Sequence, residues 1–77
     1  MKKEYEVDVI KLRKIMAENE IITSKELAEK ADIDKSTISL ILHKKRRPST
    51  VVIEKLMKAL FISTDDAGEI FFKEKLT

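Results

Sequence analysis

The chain has 77 residues and carries 16 basic and 14 acidic side chains, so its formal net charge is only +2. It has no cysteine and one histidine, which excludes a disulfide scaffold, a thiolate zinc site and a metal site built on two histidines. A chain this short forms a single small domain with a thin core, and no apolar run approaches the roughly 20 residues of a membrane span. We therefore expect a soluble, cytoplasmic, helical domain with no cofactor, no metal and no enzymatic activity.

Residues 1–7 precede the first helical pattern, and we expect the domain proper to span residues 8–77. Tyr5 and Val7 alternate with two glutamates, which suits a short extended arm. A frayed terminus is the simpler prediction, because the ends of small domains are poorly ordered unless they are tied down. The arm is therefore predicted to be either flexible or extended.

A first helix is predicted from Asp8 to Glu18, where Leu12, Ile15 and Met16 recur at helical spacing. Asp8 is a suitable N-cap for this helix. Asn19 is predicted to end it, because asparagine tolerates the left-handed conformation that is common at helix ends.

A second, shorter helix is predicted from Ser24 to Ala31. Thr23 is followed three residues later by Glu26, which is the capping-box pattern, and Ile22 stands where a hydrophobic staple would begin. Two turns of helix are too short to be stable alone, so the apolar face of this helix must pack on its neighbours. That face consists of Leu27, Ala28 and Ala31.

A third helix is predicted from Lys35 to about His43, with Asp34 as a good N-cap. Ile33 fills the short turn before it, and Ile38 and Ile41 anchor the third helix from the same side. Two short helices that are joined by a tight turn and cross at a steep angle form a helix-turn-helix.

The outward face of the third helix follows from its period once Ile38 and Ile41 point inward. It is polar and non-acidic except for one leucine, and such a face suits the major groove of DNA because an acidic residue there would repel phosphate. We predict base contacts for Lys35, Ser36, Ser39 and Leu40. The alternative for the polar residues is a solvated helix face, and Leu40 could contact either a thymine methyl group or another protein.

The most basic stretch of the chain follows the third helix. Residues 44–58 carry six basic side chains against one acidic side chain, whereas the segments on either side are slightly acidic. Such a local concentration of cations is typical of a phosphate-binding patch, although a solvated charged loop is the alternative. The loop itself consists of Lys44, Lys45, Arg46 and Arg47.

Two further helices complete the pattern. Ser49 caps a fourth helix from Thr50 to Phe61, and Ser63 caps a fifth from Thr64 to about Leu76. The apolar positions of the fourth helix that we expect to face inward are Val52, Ile53, Leu56 and Leu60.

Phe71 and Phe72 lie about 100° apart on the predicted fifth helix, so both are partly buried only on a broad apolar face. One interpretation is that the two rings close the helical bundle. The alternative is an exposed apolar patch that forms a dimer contact through Phe71, Phe72 and Leu76, because such patches on small domains commonly mark interfaces.

Three segments together resemble the phage-repressor and Cro-like helix-turn-helix family, often called XRE. They run from Thr23 to Ala28, from Ile33 to Ser39 and from Lys45 to Ser49, and the similarity covers about residues 8–65. The resemblance implies an all-α bundle of five helices that binds operator DNA as a dimer and represses transcription in bacteria and their phages.

The chain departs from the family pattern at several positions. The family has glutamine where this chain has Ser24, and it has glycine where this chain has Asp32, Lys44 and Phe61. Serine donates the same kind of hydrogen bond to phosphate with a shorter reach, and aspartate tolerates the left-handed conformation at some cost. Contacts with the DNA backbone are predicted for Thr23, Ser24, Lys25, Thr37, His43, Lys44, Lys45, Arg46 and Arg47. For His43, a capping or solvated role is the alternative.

These patterns together predict a sequence-specific DNA-binding transcriptional regulator, most simply a repressor. Its partner would be double-stranded DNA, on which it would be at least a homodimer. The alternative is a protein-interaction module, such as an antitoxin or an anti-repressor partner, and Leu40 is the residue that favours it. An enzyme is not expected, because the carboxylates lie on amphipathic surfaces or in helix caps.

Overall fold

The computed structural model describes residues 4–75 and consists mainly of helices. They are α1 (Val9–Glu18), α2 (Ser24–Ala31), α3 (Lys35–Leu42), α4 (Thr50–Leu60) and α5 (Thr64–Phe71). Two short strands, β1 (Tyr5–Glu6) and β2 (Lys73–Glu74), pair antiparallel near the two ends of the chain. The predicted five-helix, all-α fold class is confirmed, and the small sheet is an addition that the sequence pattern did not predict.

Each helix begins directly after a polar residue whose side chain accepts a backbone N–H of the first turn. Such a cap contributes about 1 kcal/mol, because the first N–H groups of a helix have no partner within the helix. All five predicted N-caps are confirmed: Asp8, Thr23, Asp34, Ser49 and Ser63.

A residue in the left-handed conformation follows the end of each of the first four helices. These residues are Glu20, Asp32, Lys44 and Phe61, with φ angles of 60°, 56°, 58° and 54°. The prediction that Asn19 takes this conformation is wrong, since its φ is −98° and the next residue takes it instead. Asn19 ends α1 through its side chain, whose amide donates to the carbonyls of Ile15 and Leu60 at 2.9 and 3.2 Å. This amide therefore ties the end of α1 to the end of α4.

The core draws side chains from all five helices. α2 packs mainly against α3 and also against α4, while α5 packs against α1 and α4. The predicted apolar face of α2 is buried, as is that of α4 apart from the half-buried Val52. Because α2 has only two turns, its position depends on this packing. One completely buried side chain from each helix illustrates the core: Leu12, Leu27, Ile38, Leu56 and Phe71.

The fifth helix ends earlier than predicted, at Phe71 instead of about Leu76. At Phe72 the backbone leaves the helical region with a φ of −129°, and the chain continues as β2. The physical reason is that the extended backbone of β2 finds hydrogen-bond partners in β1, which lies beside it. Leu76 itself lies outside the described residues.

The two strands hold the ends of the described chain together. Tyr5 pairs with Glu74, and Glu6 pairs with Lys73. The ladder continues where the N–H of Lys75 donates to the carbonyl of Glu4 at 2.8 Å. Tyr5–Glu6 is therefore extended and hydrogen-bonded, so the preferred prediction of a frayed terminus is wrong for these residues and the extended arm is found instead.

The structure distinguishes the two interpretations of Phe71, and it corrects the prediction for Ile22. Phe71 is completely buried and closes the bundle, so it is not available for the predicted dimer contact, whereas Phe72 is half exposed. The staple prediction for Ile22 is wrong, because 68% of its surface is exposed. Ile21 is buried in its place, which leaves Ile22 on the outside of the turn before α2.

Candidate nucleic-acid interface

A capping box fixes the first turn of α2. The hydroxyl of Thr23 accepts the N–H of Glu26 at 3.1 Å, and the carboxylate of Glu26 accepts the N–H of Thr23 at 3.1 Å. This hydrogen bond, with a second one from the N–H of Ile22, holds the pKa of Glu26 below its ordinary value of 4.5. The predicted DNA-backbone contacts on this turn are Thr23 and Lys25, which are exposed, and Ser24, which is half-buried. The Thr23 hydroxyl is already occupied, because it also donates to the Glu26 carboxylate at 3.1 Å.

The turn between α2 and α3 is fixed from both sides. Asp32 is left-handed, and the N–H of Ile33 donates back to the carbonyl of Ala28 at 2.9 Å. Lys55 of α4 donates to the carbonyl of Asp32 at 3.0 Å, which joins the turn to the rest of the bundle. Asp34 then caps α3. The residues that the sequence assigned to this turn therefore form it.

The predicted base-contacting face of α3 lies on the surface. Lys35 and Ser36 are exposed, Leu40 exposes 40% of its surface, and Ser39 is half-buried. Ile38, on the opposite side of α3, is completely buried. The face therefore offers hydrogen-bonding groups and one apolar side chain, with no carboxylate among them.

His43 folds back on the last turn of α3. Its Nδ1 lies 2.8 Å from the carbonyl oxygen of Ser39 and 3.4 Å from the hydroxyl of the same residue. A carbonyl can only accept a hydrogen bond, so Nδ1 carries the proton and donates it. The capping role that the sequence left open for His43 is the one found here. Its Nε2 has no part in that cap.

A shallow depression between α2 and α3 brings Lys25 and Lys35 to one opening. Glu29 and Asp34 line the same depression, so its charge is balanced. The remaining predicted backbone contact on α3, Thr37, is half-buried. The excess of positive charge in this region therefore comes from the loop after α3.

Lys44 connects that loop to the N-terminal strand. Its ammonium donates to the carboxylate of Glu6 at 3.0 Å, and this hydrogen bond lowers the pKa of Glu6 below 4.5. A phosphate would compete with Glu6 for the same ammonium group. Lys45 and Arg46, in contrast, form no ion pair and no side-chain hydrogen bond within residues 4–75.

Arg47, which is predicted to contact phosphate, is exposed but already has partners within the protein. Its guanidinium donates to the carbonyls of Tyr5 and Phe71 at 3.0 and 2.9 Å. It also lies over the ring of Phe72, 5.4 Å from the centroid, and that ring makes an edge-on contact with Tyr5. Two backbone acceptors therefore already bind this group, which distinguishes it from Lys45 and Arg46.

The sequence pattern missed the residues outside the basic loop that contact its Lys44 and Arg47 side chains. They are Tyr5 and Glu6 in the N-terminal strand and Phe72 after α5. The alternation of apolar and acidic residues near the start of the chain was the one available signal. It could indicate an extended segment, but it could not indicate which part of the molecule that segment would contact.

The structure gives no sign of other site types in the part of the chain that it describes. Within residues 4–75, no group of three or more histidine, cysteine, aspartate or glutamate side chains could hold a metal ion. In the same range, no helix combines the length and the apolar character that crossing a membrane would need.

Comparison with known proteins assigns the family. Searches of curated proteins and of solved structures found no match to this chain. The family model of the Cro/C1-type HTH DNA-binding domain matches residues 11–71, which include all of α2, α3 and α4 and the basic loop. That range covers well over half of the chain and contains the face described above. This chain belongs to the family of Cro/C1-type helix-turn-helix DNA-binding domains.

Proposed function

We propose that this chain is a repressor that binds operator DNA as a dimer through the outer face of α3. Membership of the family makes it a DNA-binding regulator. One observation carries the finer proposal: the exposed, non-acidic face of α3 lies beside Lys45 and Arg46, which have no ion-pair partner within residues 4–75. A polar helix face suits the major groove, and cations beside it suit the phosphates that flank the groove. A repressor of this kind would act in the cytoplasm, where it meets the DNA.

The proposed base contacts are Lys35, Ser36, Ser39 and Leu40. Lysine can donate to guanine O6 and N7, serine can pair with several base edges, and leucine can contact a thymine methyl group. Lys35 and Ser36 lie in the first turn of α3, and the N-terminal residues of such a helix usually meet the bases.

Lys45 and Arg46 are the main proposed phosphate contacts. The lesser ones are Thr23, Ser24, Lys25, Thr37, His43 and Lys44, several of which are engaged within the protein. Phosphate contacts supply affinity without sequence preference, so the two groups of residues have separable tasks.

A dimer is proposed because one small module buries only about 600–1,000 Å² on DNA. Two copies would place their α3 helices in successive major grooves about 34 Å apart. Two residues of the predicted dimer contact remain in this proposal. Phe72 is half exposed, and Leu76 lies outside the described residues. A footprint that covers two symmetric half-sites is the expected result, whereas one unsymmetrical half-site would contradict the dimer.

Substitution of the two groups of residues tests the proposal. Changing Lys45 and Arg46 to alanine should weaken binding to cognate and random duplexes alike, and should reduce the slope of log K against log salt by about 0.9 per lost phosphate contact. Changing Lys35 or Ser36 to alanine should cost about 1–3 kcal/mol on the cognate duplex and much less on random DNA. Titrations at several salt concentrations give both quantities. Equal losses from both groups on both duplexes would show that α3 does not select a sequence.

A protein-interaction module is the second candidate, and the 40% exposure of Leu40 on the face of α3 favours it. Leu40→Ala separates the two functions. If Leu40 contacts a thymine methyl group, the variant loses affinity only for duplexes that carry that base pair. If the face binds a protein, DNA affinity is unchanged and the protein complex is lost. The matched control is Val51→Ala, which also removes an exposed apolar side chain but lies on α4.

A further inference from the structure

Arg47 differs from the rest of the basic loop because its guanidinium is engaged within the protein. It donates to the carbonyl of Tyr5 at 3.0 Å and, through its other amino group, to the carbonyl of Phe71 at 2.9 Å. Its Cζ also lies over the ring of Phe72, 5.4 Å from the centroid. A guanidinium with two separate carbonyl partners and an aromatic neighbour has a fixed orientation. This one side chain therefore joins β1, the end of α5 and the loop between α3 and α4.

Both carbonyls are groups that regular secondary structure leaves without a partner. In an antiparallel pair, alternate residues of a strand direct their backbone groups toward the other strand. Glu4 is bonded to β2 through Lys75, so the backbone groups of the next residue, Tyr5, point away from β2. Phe71 is the last residue of α5, where the carbonyls have no partner within the helix. Arg47 therefore binds both of these carbonyls and covers the outer edge of β1.

Lys45 and Arg46 lie between two segments that are bonded to the rest of the protein. The N–H of Lys45 donates to the carbonyl of Leu40 at 2.8 Å, which fixes the start of the loop to α3. Arg47 fixes the end of the loop to the sheet, and the ion pair of Lys44 with Glu6 adds a second connection to β1. The two proposed phosphate contacts lie between these fixed points.

We propose that Arg47 is a positioning residue that clamps the terminal sheet to the loop and so presents Lys45 and Arg46 to DNA phosphates. The proposal rests on the proposed function, because it assigns a task within the same site. It replaces the direct phosphate contact predicted for Arg47, and it makes β1 part of the DNA-binding apparatus through the Tyr5 carbonyl, in addition to the ion pair of Glu6 with Lys44.

A comparison of Arg47→Lys with Arg47→Ala tests the clamp. Lysine keeps the positive charge, but a single ammonium cannot donate to two separated carbonyls while covering the ring. The clamp therefore predicts that both variants bind cognate and random duplexes more weakly than the unchanged chain, by a similar factor of roughly 2–30. A direct phosphate contact predicts a different result, in which Arg47→Lys binds almost normally and only Arg47→Ala loses about 0.9 of salt slope. That second result would overturn the proposal.

Two controls distinguish the clamp from a general effect of positive charge and from a loss of the dimer. Lys14→Ala removes an exposed cation of α1, and its effect on DNA affinity should stay within about twofold at 0.15 M salt. Sedimentation of the Arg47 variants should show the same oligomeric state as the unchanged chain. A loss of affinity that is matched by a loss of the dimer would contradict the clamp.

Hydrogen exchange supplies a measurement that does not depend on DNA. In both Arg47 variants the amide of Lys75, which is bonded to Glu4, should exchange faster, while the amide of Ile33 in the turn before α3 should keep its rate. Unchanged exchange at Lys75 would overturn the clamp.

If the unchanged chain itself shows no salt-dependent DNA binding, the proposed function fails, and the role of the clamp in DNA binding fails with it. Normal binding by the unchanged chain and by Arg47→Lys overturns the clamp alone.

Discussion

At the scale of single residues, the left-handed positions show how the chain tolerates side chains in a backbone conformation that favours glycine. The left-handed conformation costs a residue other than glycine about 1–2 kcal/mol. At Asp32 a bond from Lys55 to the backbone carbonyl offsets part of this cost, and at Lys44 the side chain gains an ion pair. Within residues 4–75, no side chain donates to the Phe61 carbonyl, its phenyl ring forms no ion pair, and 82% of its surface is exposed. The strain at Phe61 is therefore the least compensated of the three.

We predict that Phe61→Gly stabilises the fold by about 0.5–1 kcal/mol. Glycine removes the left-handed strain, and this gain exceeds the roughly 0.5–1 kcal/mol that glycine loses through its more flexible unfolded state. Little buried surface is lost, because the ring is largely in solvent. Thermal unfolding should show a midpoint raised by about 2–8 °C. Phe61→Ala, which keeps a side chain at the same φ, is the control, and an equal rise in that variant would contradict the explanation.

At the scale of the elements, the start of α2 depends on charge as well as on hydrogen bonding. α2 has eight residues, which is too short for a helix to be stable in isolation. Its capping box contains Glu26, whose carboxylate accepts backbone N–H groups and lies near the positive end of the helix dipole. The charged form of Glu26 is therefore favoured in the folded state, in agreement with its lowered pKa.

We predict that the stability contributed by the Glu26 charge depends on pH. Its pKa is lower in the folded state than its ordinary value of 4.5, so the contribution is fully present above that value and is lost as the pH falls below it. Glu26→Gln keeps the acceptor oxygen but removes the charge. The difference in unfolding midpoint between the two proteins should therefore be largest near pH 7 and should shrink toward pH 3. The lowered pKa of Glu6 is common to both proteins and cancels in this comparison. A difference that is the same at both pH values would refute this role of the charge.

At the scale of the whole molecule, the helix-turn-helix depends on a small core, and the total free energy of unfolding is therefore low. A domain of 77 residues has a free energy of unfolding of about 4–12 kcal/mol, at roughly 0.05–0.15 kcal/mol per residue. Leu27 is completely buried in α2, which packs mainly against α3.

We predict that Leu27→Ala lowers the free energy of unfolding by about 2–5 kcal/mol, because it removes buried methyl groups and leaves a cavity. That loss is a large part of the total, so the unfolding midpoint in urea, followed by helical circular dichroism, should fall sharply. Ile22→Ala is the matched control. Its side chain is 68% exposed, and we expect a change within about 0.5 kcal/mol. Similar losses in the two variants would contradict the assigned packing.

The elements of this fold were predictable from local signals. The N-caps, the turn at Asp32 and the boundaries of α2 depend on neighbouring residues in the chain, so their effects are visible in short segments. The same signals misplaced the end of α5, because the extended backbone after Phe71 is stabilised by a strand far away in sequence. The prediction gave Ile22 the packing role that Ile21 has in the structure. Local spacing alone does not show which of two adjacent isoleucines faces the core.

The sequence by itself determined the family, the five helices and the polar face of α3, because caps and helical periods act over a few residues. Only the tertiary structure decided which cations of the basic loop have partners within the protein. Lys44, Lys45, Arg46 and Arg47 look alike in the sequence, yet Lys44 is paired with Glu6 and Arg47 is bound to two carbonyls. Their partners come from the first and last elements of the chain, so the difference arises only when folding brings those elements beside the loop.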